Sequence, residues 1–66
     1  MKTYTIHQAN MQALVAMLRP QMVVDPKFRA ECDRCMQVRP DHVTLHIEAP
    51  VSPLLHKAAI ELGEEV

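Results

Sequence analysis

Two cysteines and four histidines are the residues of this chain best equipped for chemistry. The cysteines stand in Cys32-Asp-Arg-Cys35, a spacing that suits a redox pair or half of a metal site. A redox thiol needs a depressed pKa, often supplied by a helix N-terminus. Asp25-Pro26 reads as such a start: the carboxylate caps free N–H groups, and proline at the first helical position wastes no donor. Both thiols then fall about two turns into the helix, beside Glu31 and Asp33, where a thiolate is disfavoured.

A closed zinc site asks for four ligands. Written as a string, Cys32, Cys35, His42 and His46 supply them. The common fingers place about 12 residues between the two pairs, however, and these pairs are closer. His42 and His46 also read as strand residues, which sets them about 13 Å apart at ~3.3 Å per residue. They share a face but not an ion; one of them with His7 shares an ion only if two strands adjoin. The expectation is therefore no cofactor, with Cys32 and Cys35 buried as small hydrophobes beside Phe28 and Met36. The alternative is a zinc-stabilised regulator touching nucleic acid through Lys27, Arg29, Arg34 and Arg39, a patch that Glu31 and Asp33 interrupt.

A histidine base needs a nucleophile and an orienting acid around a pocket. Ser52 is the sole serine and, before Pro53, reads as a helix cap. Sixty-six residues leave little room for a preformed pocket. The expectation is that the chain is not an enzyme.

The elements that must position these residues follow from periodicity. Lys2 to His7 alternates, with Tyr4 and Ile6 on one side, and predicts a strand. Gln8 to Arg19 takes helical spacing, with Met11, Leu14, Val15 and Leu18 as its core stripe. Pro20 predicts an end or a kink. Pro26 to Val38 predicts a second helix, with opposite charges at Lys27–Glu31 and Arg29–Asp33. His42 to Ala49 predicts the second strand, with Val43, Leu45 and Ile47 inward and His42, Thr44, His46 and Glu48 outward. Leu54, Leu55, Ala58, Ala59 and Leu62 form the stripe of a last helix, closed by Gly63. The whole is one α+β domain over residues 1–66, ordered strand-helix-helix-strand-helix, with a two-stranded antiparallel sheet. Such a ribbon is marginal alone, so pairing with a second copy is expected to extend it.

Composition excludes further classes. Seven Lys+Arg against eight Asp+Glu leave a net charge of -1, no excess with which to bind a phosphate backbone. Tyr4 and Phe28 are the only aromatics, too few for a base-stacking platform. One glycine leaves no phosphate-cradling loop. No apolar run approaches the roughly 18 residues of a membrane span, and the first residues lack the apolar region of a signal peptide. A cytoplasmic protein is expected.

What remains is an anomaly on the first helix. Ala13, Ala16 and Met17 lie opposite its apolar stripe, where a solvent-facing helix is polar. Ile60 stands opposite the stripe of the last helix. These four are the candidate interaction residues. The sequence thus points to a small protein-protein interaction module, expected as a homodimer. Its size and want of chemistry fit an accessory factor of a phage, prophage or other mobile element that binds and inhibits a host or defence protein.

Overall fold

The computed structural model describes residues 1–48 and 50–66. The chain runs β1 (Lys2–His7), a single 3-10 turn (Gln8–Asn10), α1 (Met11–Val24), α2 (Pro26–Cys35), β2 (Met36–Val38), β3 (His42–Ile47), α3 (Pro53–Leu62) and β4 (Glu64–Glu65). The sheet has four strands in the order β2-β3-β1-β4, and every neighbouring pair is antiparallel. The α+β class expected from sequence is present; the two-stranded sheet is corrected to four strands.

Both missing strands are short. Met36 to Val38 continues the apolar stripe of α2, so its spacing alone reads as one more helical turn. In the structure α2 stops at Cys35, and Met36, Gln37 and Val38 pair with Leu45, Thr44 and Val43. Glu64–Glu65 has no apolar pattern at all and pairs with Thr5 and Tyr4 on β1. The strand expected from His42 to Ala49 is observed over His42–Ile47, with Glu48 outside it; Ala49 lies outside the described residues.

This connectivity also changes how the chain reverses. Since β1 and β2 are both antiparallel to β3, they run parallel to each other. The two helices make a crossover from β1 to β2, and the β2–β3 hairpin supplies the reversal. A second crossover, α3, joins β3 to β4. Counting α1 and α2 as one helical layer, this is the split β-α-β-β-α-β pattern of ferredoxin-like folds. Many unrelated functions share that pattern, so it names none.

Alternation sorts the sheet cleanly. Tyr4, Ile6, Val43, Leu45 and Ile47 are buried beneath the helices, joined by Leu14, Leu18, Phe28, Cys32, Cys35, Leu55, Ala58 and Ala59. Each large aliphatic side chain that is fully covered there contributes about 1.5–3 kcal/mol relative to exposure. The opposite face is uncovered and polar.

Several local expectations are corrected. Of the end or kink expected at Pro20, the end is contradicted: α1 continues to Val24 with Pro20 inside it. Ala16, whose carbonyl loses its donor to Pro20, is exposed together with the proline, so water can satisfy it. Along α1, Met17 packs half-buried against the core, while Val15 is 52% exposed. Val15 was expected on the core stripe. The pairs Lys27–Glu31 and Arg29–Asp33 do not form; the ion pairs among the described residues are His7–Glu64 and His42–Asp41. Glu31 instead accepts the Ser52 N–H at 2.8 Å, tying α2 to the start of α3. Ser52 occupies the N-cap position of α3, but its hydroxyl makes no cap bond.

The Asp25 cap is as expected. Its carboxylate accepts the N–H groups of Lys27 at 3.0 Å and Phe28 at 3.2 Å. The Phe28 bond is the largest reason that its carboxyl sits below the usual range. The cap therefore supports folding above the ordinary Asp pKa and fades as pH falls through the lowered value.

Candidate functional site

The structure separates the residues that looked ready for chemistry. Cys32 and Cys35 lie on the inner side of α2 with Phe28, and all three are buried. Both thiols are free. Burial, followed by the charge of Glu31, pushes the Cys32 thiol up to about 11. A group raised in this way favours folding below its ordinary value near 9. That contribution is lost as pH climbs toward the raised value.

His42 and His46 sit on the outer sheet face, four residues apart along β3 with Thr44 between them on that face. His42 opposes His7 across the ladder, and His46 opposes Thr3. Each makes its own local contact. His7 Nε2 lies 3.2 Å from Glu64 Oε2, and His42 Nδ1 lies 2.7 Å from Asp41 Oδ1. Thr3 Oγ1 lies 3.4 Å from His46 Nδ1. The His42 bond is the first cause of a lowered Asp41 carboxyl. Cys35 and His46 do line one shallow groove, with Arg34 and Glu48. No hydrogen bond joins them, and among the described residues no three His, Cys, Asp or Glu converge as metal ligands. The set Cys32, Cys35, His42 and His46 is thus not assembled. His56 is exposed on α3.

This arrangement gives a direct test of the thiols. Cys32→Ser buries a hydroxyl in an apolar slot, at an expected cost of about 1–3 kcal/mol in urea unfolding. Native protein should resist thiol alkylation and react fully once unfolded. A Cys32→Ser variant of unchanged midpoint, or alkylation at the native state as fast as in urea, contradicts a structural role.

The polar face of the sheet offers no stacking surface. Tyr4 and Phe28, the two aromatics, are both buried on the other side. No helix among the described residues is long and apolar enough to cross a membrane.

The surface that stands out is on α1 and beside it. Ala13 and Ala16 are exposed, as the sequence placed them. Val23 and Val24, at the C-terminal end of α1, are 76% and 75% exposed, and Ile60 on α3 is 57% exposed. Met17, named with the alanines, is half-buried against the core instead. Val15 forms a ridge between two grooves. One, of about 400 Å³, is shallow and bounded by Met11, Gln12, Ala16 and Arg19. The other, of about 470 Å³, has Leu14, Leu18, Met22 and Met36 in it, with Arg19, Val23 and Arg29 around it. Periodicity misassigned Val15 because the roll of a helix on its sheet is settled by packing. Arg29, read from sequence as a helical ion-pair member and as part of an interrupted basic patch, borders this groove instead.

Compared with protein-family models, with curated proteins and with solved structures, the chain matches none.

Proposed function

We propose that this chain is a small non-enzymatic protein-protein interaction module that presents the outer side of α1 to its partner. The observation that carries the reading is the exposed aliphatic surface of Val15, Val23 and Val24 beside the small side chains of Ala13 and Ala16. Single apolar residues on a surface are ordinary, whereas several at exposed positions of one helix suit a contact surface. A binder without a catalytic constellation acts by occupying its partner's surface. That suits an accessory factor that inhibits a host or defence protein, in the cytoplasm.

Self-association belongs to the same proposal. The sequence argument for a homodimer had two parts, an unfinished ribbon and the second face of α1. The chain completes its own four-stranded sheet, so the first part falls away. The second remains: Ala13 and Ala16 let a second copy of α1 approach closely. Sedimentation equilibrium is expected to show a dimer whose melting temperature rises with concentration. Ala16→Glu, at an exposed position, is expected to dissociate it without unfolding the monomer. Met17→Glu is unsuited to this test because Met17 packs on the core. A wild-type monomer at high micromolar concentration refutes the dimer.

A further inference from the structure

The sheet is open at β2. Arg39 N–H donates to the His42 carbonyl at 2.8 Å, which makes these residues a hydrogen-bonded pair. Such pairs alternate along an antiparallel ladder, so Gln37 and Thr44 form the next one. Met36 and Val38 must then turn their peptide groups away from β3. The Met36 N–H is already given to the Cys32 carbonyl at the end of α2. The Met36 carbonyl and both peptide groups of Val38 are left facing out from the edge. Val38 itself is 70% exposed. Natural sheets guard such edges because they template another strand.

The larger groove lies on the helix side of this edge and includes Met36. Val38 stands two residues along the same face, so apolar surface continues from the groove to the open strand. The charges around the groove are of one sign. Arg19 and Arg29 line it, no acidic residue does, and neither arginine joins an ion pair among the described residues. In a chain of net charge -1 this is a local positive site, not a general basic surface.

Resting on the protein-binding reading above, we infer that the β2 edge accepts an extended segment of another protein whose groove-facing side chains combine aliphatic groups with carboxylates. The backbone of that segment pairs with Val38 and the Met36 carbonyl. Every second side chain turns toward Met22, Val23 and Met36, and its carboxylates meet Arg19 and Arg29. Backbone pairing gives affinity, and the alternate side chains give selectivity. The surface adjoins the Ala13 and Ala16 face used for self-association, with Val15 and Arg19 bordering both grooves.

The test is selection of a displayed library of random peptides on the immobilised protein, followed by titration of the enriched synthetic peptide into ¹⁵N-labelled protein. Enriched sequences should be acidic, with aliphatic residues at alternate positions. Amide shifts should centre on Gln37 and Val38, and affinity should fall with added salt. Arg19→Glu with Arg29→Glu, both at exposed positions, should weaken binding at least tenfold without changing the melting temperature. Val38→Pro, which deletes the outward N–H, should do the same. Enrichment of basic or uncharged peptides, or shifts confined to the outer side of α1, overturns this inference and leaves the protein-binding reading standing. Concentration-dependent shifts at Val38 without peptide place a second copy on the edge and also overturn it. No enrichment overturns it too, and together with a monomer in sedimentation removes the protein-binding reading as well.

Discussion

Leu45→Ala is expected to lose about 2–5 kcal/mol, enough to unfold much of a domain this small. Leu45 is fully buried at the centre of β3. Tyr4 on β1 and Met36 on β2 flank it in register, and the helices cover it from above. Truncation removes the transfer energy of the lost methyl groups and leaves a cavity. The surrounding structure cannot close that cavity cheaply, because strands on both sides hold the backbone in place. His46, the next residue, turns to the outer face, where alanine should change stability little. Urea unfolding of the two variants side by side measures the difference. Equal midpoints for Leu45→Ala and His46→Ala mean that the face assignment of β3 is wrong, since a one-residue slip exchanges the two faces.

Gly63→Val is expected to be the most damaging change outside the core, at or beyond the upper end of the usual ~1–3 kcal/mol for overpacking. Gly63 follows α3, and its N–H closes the helix on the Ala59 carbonyl at 2.9 Å. Its backbone is extended, at φ -106°, so handedness does not require glycine here. Space does. A Cβ would lie 2.7 Å from the Ala59 carbonyl oxygen, 2.8 Å from Ile6 Cδ1 and 3.2 Å from Tyr4 Cβ. The Ile6 methyl can move, but the Ala59 carbonyl is held by the helix. The chain must therefore lift off β1, which costs the β4 pairing and the bond from Val66 N–H to the Thr3 carbonyl at 2.8 Å. Hydrogen exchange should show the loss as a faster Val66 amide, alongside a lower melting temperature. Gly63→Ala should fall between wild type and Gly63→Val. Wild-type stability for Gly63→Val contradicts the close approach.

The candidate surface was legible only in outline. Ala13 and Ala16 were readable as an apolar second face because alanines at that spacing have no polar purpose on a helix. Val15 was not, because four apolar residues at Met11, Leu14, Val15 and Leu18 define a stripe wider than the sheet can bury. Packing had to choose which flank to cover, and it chose Met17. Arg19 and Arg29 come together from separate helices, a juxtaposition no local spacing records. The same holds for the chemistry that failed to assemble. Cys32 and Cys35 face inward from α2, while His42 and His46 stand on the outer face of β3, and only Cys35 and His46 border a common groove.

The sequence by itself determined β1, the start of α2 at Asp25-Pro26, the inward residues of β3 and the stripe of α3. Each rests on interactions within a few residues: alternation against a sheet, a carboxylate on free N–H groups, apolar side chains at helical spacing. Tertiary structure alone decided β2, β4, the passage of α1 through Pro20 and the conformation at Gly63. A three-residue strand has too little pattern of its own; Met36 and Val38 become strand because Leu45 and Val43 lie alongside. Glu64 and Glu65 pair because α3 delivers them to the free edge of β1. Gly63 closes its helix in extended form, where local rules put a left-handed turn, because the chain must pass directly against Ile6 and Tyr4.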